Sequence, residues 1–140
     1  MRRARRWLCA VSVLLGTGAL AGCGLNVQSP DLFLLTRTGP GGKLTLEVSD
    51  GGAIRCNGGH ARTISSARLI TARDLADNLS SDAGHNLDLP TAPGSIYTFR
   101  ILLQQGTIRF SDRDTPGRPN LAQAALFATE AAQQVCGLSS

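Results

Sequence analysis

Residues 43–49 alternate: Leu44, Leu46 and Val48 point one way, and Lys43, Thr45 and Glu47 the other. That period of two predicts an antiparallel strand with one buried face. Leu32 to Thr38 reads as an apolar strand before it, and Gly39-Pro40-Gly41-Gly42 as the turn that joins them. Asp50-Gly51-Gly52 turns the chain into a short strand, Ala53 to Cys56, and Asn57-Gly58-Gly59 turns it again. Beyond Ser65 and Ser66, either of which can cap free backbone N–H groups, the period lengthens. Leu69, Ala72, Ala76 and Leu79 fall at helical spacing, Ile70 and Leu75 widen that face, and Arg68, Arg73, Asp74 and Asp77 lie mainly off it.

Ser80 to Gly94 is polar and carries Pro90 and Pro93, which predicts a loop of about fifteen residues, a length that in compact domains tends to be functional. The period of two then returns. Tyr97, Phe99, Ile101 and Leu103 share a face within Ser95–Gln104, Ile108 and Phe110 share one within Thr107–Asp112, and Gln105-Gly106 forms the turn of this hairpin. Asp112 to Pro119 reads as a second loop. Asn120 caps a final helix to about Cys136, with Leu121, Ala124, Ala125, Ala128, Ala132 and Val135 inward and Gly137 as its stop. The order ββ(β)-α-ββ-α predicts an α+β fold: a small antiparallel sheet of about five strands, covered on one face by two helices.

The first 22 residues follow a different pattern. Arg2, Arg3, Arg5 and Arg6 precede a run from Trp7 to Leu20 that is apolar but shorter than the roughly 20 residues a membrane-spanning helix needs. Small residues Ala21 and Gly22 follow, giving the three regions of an export signal. The paired arginines in Arg5-Arg6-Trp7-Leu8 match part of a twin-arginine signal, so both export routes stay open. The stretch Leu20-Ala21-Gly22-Cys23 resembles the lipobox of bacterial lipoproteins. That resemblance implies cleavage before Cys23 and a diacylglycerol anchor on its sulfur. Residues 23–31 would then be a short tether reaching at most about 28 Å, and residues 32–138 a single domain held at the extracytoplasmic face of a cell membrane.

Processing changes the charge picture. The 140-residue chain has 14 Lys/Arg and 10 Asp/Glu. Four of the arginines lie before Cys23, leaving 10 basic against 10 acidic residues. Removal of the basic leader takes away the footprint a nucleic-acid partner would need. Cysteines follow the same arithmetic: Cys9 leaves with the leader, Cys23 takes lipid, and Cys56 and Cys136 remain as an even pair in an oxidising compartment. A disulfide between them is expected. A metal pair or redox couple lacks a CxxC motif or a histidine at ligand spacing.

The search for catalytic chemistry ends without a constellation. His60 and His85 both sit in predicted loops outside any HExxH or HxH motif, and a zinc site would need Asp82 or Asp88 in addition. No GxSxG elbow marks a serine nucleophile. Asp112-Arg113-Asp114 lacks the glycine and closing glutamate of a calcium loop. Gly39-Pro40-Gly41-Gly42 precedes no helix that would favour phosphate, and the Asn78-Leu79-Ser80 sequon falls inside a helix. The expectation is a non-enzyme with no metal and no cofactor beyond the lipid on Cys23.

The layout as a whole resembles small lipoproteins of high-G+C bacteria. It is also similar to the emfourin type of proteinaceous metalloprotease inhibitor, in which a strand and a Gly-rich turn (here Thr36 to Gly42) precede a helix, an aromatic hairpin (here Tyr97 to Phe110) and a final helix. The missing catalytic set, the disulfide-stapled scaffold and the two loops free to make contacts point to a membrane-anchored binding module with a cell-envelope protein as partner. The second resemblance implies instead an inhibitor of an extracellular metalloprotease. The Cys56/Cys136 pair and the 80–94 segment depart from the inhibitor layout.

Overall fold

The structure, a computed structural model, describes residues 32–138. The leader, the lipobox residues Leu20, Ala21, Gly22 and Cys23, and the tether lie outside the described residues. The fold is α+β: a six-stranded antiparallel sheet with two helices. Strands β1 (Phe33–Gly39) and β2 (Gly42–Ser49) form the first hairpin, followed by β3 (Ala53–Cys56) and β4 (Ala61–Thr63). Helix α1 (Ser66–Gly84) leads to the second hairpin, β5 (Thr98–Leu103) and β6 (Gly106–Ser111), and α2 (Pro119–Gln134) closes the domain. The spatial order β4-β3-β2-β1-β5-β6 puts β1 between the two hairpins. Helix α1 therefore carries the chain across three strands, from one edge of the sheet to the strand beside β1.

Register explains which face is buried. Leu35 pairs with Leu46 on one side and Ile101 on the other, and Ile101 pairs with Ile108. Residues directly opposite share a face, so one face carries Phe33, Leu35, Leu46, Val48, Ile54, Phe99, Ile101, Ile108 and Phe110, all buried. The helices cover that face. Ala72, Leu75, Leu79 and Ala83 of α1 and Leu121, Ala124, Phe127, Ala128 and Ala131 of α2 belong to the same core. Phe127 meets Phe33 edge-on, with ring centroids 5.7 Å apart.

The C-terminal end of α2 is fastened to the sheet twice. Cys56 stands opposite Leu46, on the helix-covered face, and is joined to Cys136 by a disulfide. One strand over, Arg62 faces the same way and donates from Nη1 to the carbonyl of Val135 at 2.5 Å. The guanidinium satisfies a carbonyl that the helix leaves free and sits at the negative end of its dipole.

Four sequence expectations need correction. First, the segment after Cys56 holds a further strand, β4, which pairs with β3 but is exposed along its whole length and so has no apolar signature. Second, the predicted 80–94 loop begins later, because α1 runs on to Gly84. Its buried stripe continues as Ala72, Leu75, Leu79 and Ala83, and the intervening polar residues are simply the solvent side. Third, α2 starts with Pro119 at its first turn, and Arg118 in the cap position makes no side-chain capping bond. Asn120 instead donates from Nδ2 to the carbonyl of Asn78 at 3.2 Å, linking the two helices. Fourth, Ile70 is 57% exposed, and Phe127 takes an inward place on α2.

Candidate functional site

The helices leave the other face of the sheet bare, and the same register assigns its residues. Thr45, Thr36, Arg100 and Arg109 form one row across β2, β1, β5 and β6. Lys43, Thr38, Thr98 and Ser111 form the next. Over these rows lies a trough of about 540 Å³, whose lining includes Thr36, Thr38, Lys43, Thr98, Arg100 and Arg109. Such a concavity with convergent polar groups is where a binding site is first sought.

One wall of the trough is the segment after α1. Asn86 adopts a left-handed conformation (φ 50°) and accepts from the Thr107 N–H through Oδ1 at 3.1 Å, which turns the chain onto β6. Arg109 N–H donates to the Leu87 carbonyl at 2.8 Å, and Leu89 N–H donates to the Arg109 carbonyl at 3.0 Å. This bridge covers the outer edge of β6 and holds Asp88 to Thr91 beside the trough. The Asp88 carboxylate meets Arg109 Nη1 at 3.0 Å. Part of the segment expected to be a functional loop thus becomes a rigid rim.

The charges are unequally matched. Arg100 and Arg109 stand directly opposite each other on neighbouring strands, an arrangement in which like charges are destabilising. Asp88 offsets Arg109. Among the described residues, the side chains of Arg100 and Lys43 have no hydrogen-bond or ion-pair partner, and the hydroxyls of Thr36, Thr38 and Thr98 have none either. The trough therefore offers two unneutralised cations flanking a floor of free hydroxyl groups.

A second concavity, about 330 Å³, lies at the same end of the sheet and is lined by Arg37, Asn57, Tyr97 and Leu138 among others. Arg37 takes the position after Phe33 and Leu35 on the helix-covered face, and its guanidinium carbon lies 4.9 Å from the Tyr97 ring centroid. Gly39 makes room for that ring: a Cβ there would collide with Tyr97 Cδ1. The contact closes the open end of the core by a cation–π interaction.

The residues weighed from sequence for metal and acid–base chemistry lie apart from the trough, with the exception of Asp88. His60 is exposed between β3 and β4, and His85 is exposed at the end of α1, with Nδ1 2.8 Å from the Ser81 carbonyl. Asp82 borders a small separate hollow beside Pro119. Asp112 accepts from the Ile96 N–H, and Asp114 Oδ2 accepts from both the N–H and hydroxyl of Ser111, at 2.6 and 2.7 Å. The Asp114 carboxylate closes the 3₁₀ turn at Asp112–Asp114, and that of Asp112 ties the turn to the segment before β5. Among the described residues, no three His, Cys, Asp or Glu side chains gather into a metal-holding group. No helix among them is long and apolar enough to cross a membrane.

Sequence reading assigned Lys43 to the solvent side of its strand but did not single out Arg100. The available signal was parity: Arg100 interrupts Phe99 and Ile101 at the polar position of the hairpin. What joins it to Lys43 is the pairing of β1 with β5, residues sixty or more positions apart. Compared with protein-family models, with curated proteins and with solved structures, the chain matches none.

Proposed function

We propose that this protein is a lipoprotein anchored through Cys23 to the extracytoplasmic face of a cell membrane, and that its domain is a non-enzymatic binding module using the bare face of its sheet. The observation that carries the binding reading is the one-sided covering of the sheet. Both helices and the disulfide secure one face, while the other keeps a trough with unpartnered cations and hydroxyls. Polar groups left without partners at a concave surface favour recognition over stability. The Leu20-Ala21-Gly22-Cys23 sequence supports the anchor.

The two parts are tested separately. Cys23→Ser should move the protein from the membrane fraction to the soluble one; continued membrane association overturns the anchor. A photo-crosslinking residue at Thr98, in the trough, should capture an envelope component on intact cells, whereas one at Leu126, exposed on α2, should not. Equal capture from both positions, or none from Thr98, overturns the assignment of the binding face.

A further inference from the structure

We propose that the trough takes an extended polyanion, a linear chain with repeated phosphate groups, laid across β2, β1 and β5. The inference rests on the binding-face reading and names the ligand class for it. Lys43 and Arg100 belong to β2 and β5, which flank β1, and are offset by two residues along the strands, so their backbones stand roughly 12 Å apart. A single small anion meets one of these cations at a time, whereas a chain of anions meets both. Between them, Thr36, Thr38 and Thr98 present hydroxyls that can donate to phosphate oxygens.

Charge complementarity selects this occupant over a neutral or cationic one. Counting Lys43, Arg100, Arg109 and Asp88, the trough has an excess of two positive charges. An oxyanion beside Arg100 would also relieve its repulsion with Arg109, since Asp88 already neutralises only one of that facing pair. A neutral glycan chain is disfavoured on chemical grounds, because the rings of Phe99 and Phe110, which border the trough, are buried in the core on the helix-covered face, and Tyr97 is held by Arg37. The guanidinium of Arg100 can bind a phosphate through two parallel N–H donors, and Lys43 adds a point charge.

The test uses fluorescently labelled inorganic polyphosphate and the full-length protein in neutral detergent, with binding read by anisotropy across a salt series. Wild-type protein should bind, and unlabelled orthophosphate at equal phosphorus concentration should compete at least tenfold less well. The double variant Lys43→Ser/Arg100→Ser should bind at least tenfold more weakly. Its slope of log affinity against log salt should fall by about one to two, as expected for two lost phosphate contacts. Arg68→Ser, on the helix layer, should bind as wild type, and circular dichroism checks that each variant is folded. Absence of binding in low salt, an unchanged affinity in the double variant, or orthophosphate competing equally well overturns the proposal. If polyphosphate fails while Thr98 still captures an envelope component, the ligand class falls and the binding face stands. If Thr98 captures nothing and the double variant binds normally, both fall.

Discussion

Removing the disulfide as a pair, Cys56→Ala with Cys136→Ala, should destabilise the domain through its unfolded state and leave the native fold nearly unchanged. The bridge spans 80 residues of sequence. Closing a loop of that length removes about 15 cal/mol/K of unfolded-chain entropy, or about 4.5 kcal/mol at 25 °C. A domain the size of residues 32–138 has an unfolding entropy of roughly 0.2 kcal/mol/K near its midpoint, so the loss corresponds to a fall in Tm of about 20 °C. The native helix has other holds: Arg62 still donates to the Val135 carbonyl, and Leu121, Ala124, Phe127 and Ala128 remain buried against the sheet. Calorimetry on the oxidised wild type and the double variant measures the shift, and amide chemical shifts in the folded state show whether α2 has moved. Those of the first three turns of α2 should stay near wild type, although its amides that exchange by global unfolding lose protection in step with the drop in stability. A shift in Tm below about 5 °C would refute the loop-entropy argument. Displaced chemical shifts throughout α2 in the folded variant would also refute it, because the bridge would then be holding the helix in place directly.

Gly106→Ala should lower stability by about 2–4 kcal/mol, because the glycine adopts φ 153° and a Cβ would collide with the Ala83 carbonyl and come 2.7 Å from Asn86 Oδ1; urea unfolding measures it, and a change below about 0.5 kcal/mol would show that the α1–hairpin contact yields easily. Asp114→Ala should cost about 1–3 kcal/mol, since it strips the fully buried Ser111 of the acceptor for both its N–H and its hydroxyl. Ser111→Ala in the same background should recover part of that loss by deleting the orphaned hydroxyl; additive losses in a thermal-melt cycle would contradict the pairing. Ser65→Ala should cost about 1 kcal/mol through loss of the bond its hydroxyl accepts from the Arg68 N–H at the start of α1, and an unchanged urea midpoint would refute that cap.

Much of the fold was legible because its elements declare themselves locally. Leu44, Leu46 and Val48 required a one-sided strand whatever lay beyond it, and Ser65 with Ala72, Leu75 and Leu79 required a capped, amphipathic α1. The hairpin of Phe99, Ile101, Ile108 and Phe110 was equally plain, and its two phenyl rings do stack, 4.9 Å apart. Elements without their own apolar pattern were not legible. Strand β4 is exposed throughout and exists because β3 supplies its hydrogen-bond partners, while the last turn of α1 hides its one buried residue, Ala83, in a polar run.

By itself the sequence determined the periodicities, hence an α+β domain with one buried sheet face, and it supplied Cys56 and Cys136, which the fold brings into a disulfide. The order of the strands was decided only in three dimensions, because pairing β1 with β5 closes a long loop whose benefit comes from burial shared among Leu35, Leu46 and Ile101. The candidate site follows from that pairing. Lys43, Thr36 and Arg100 are unremarkable polar positions within their own strands. They become neighbours in a cationic trough because β1 lies between β2 and β5 and the helices cover only the other face.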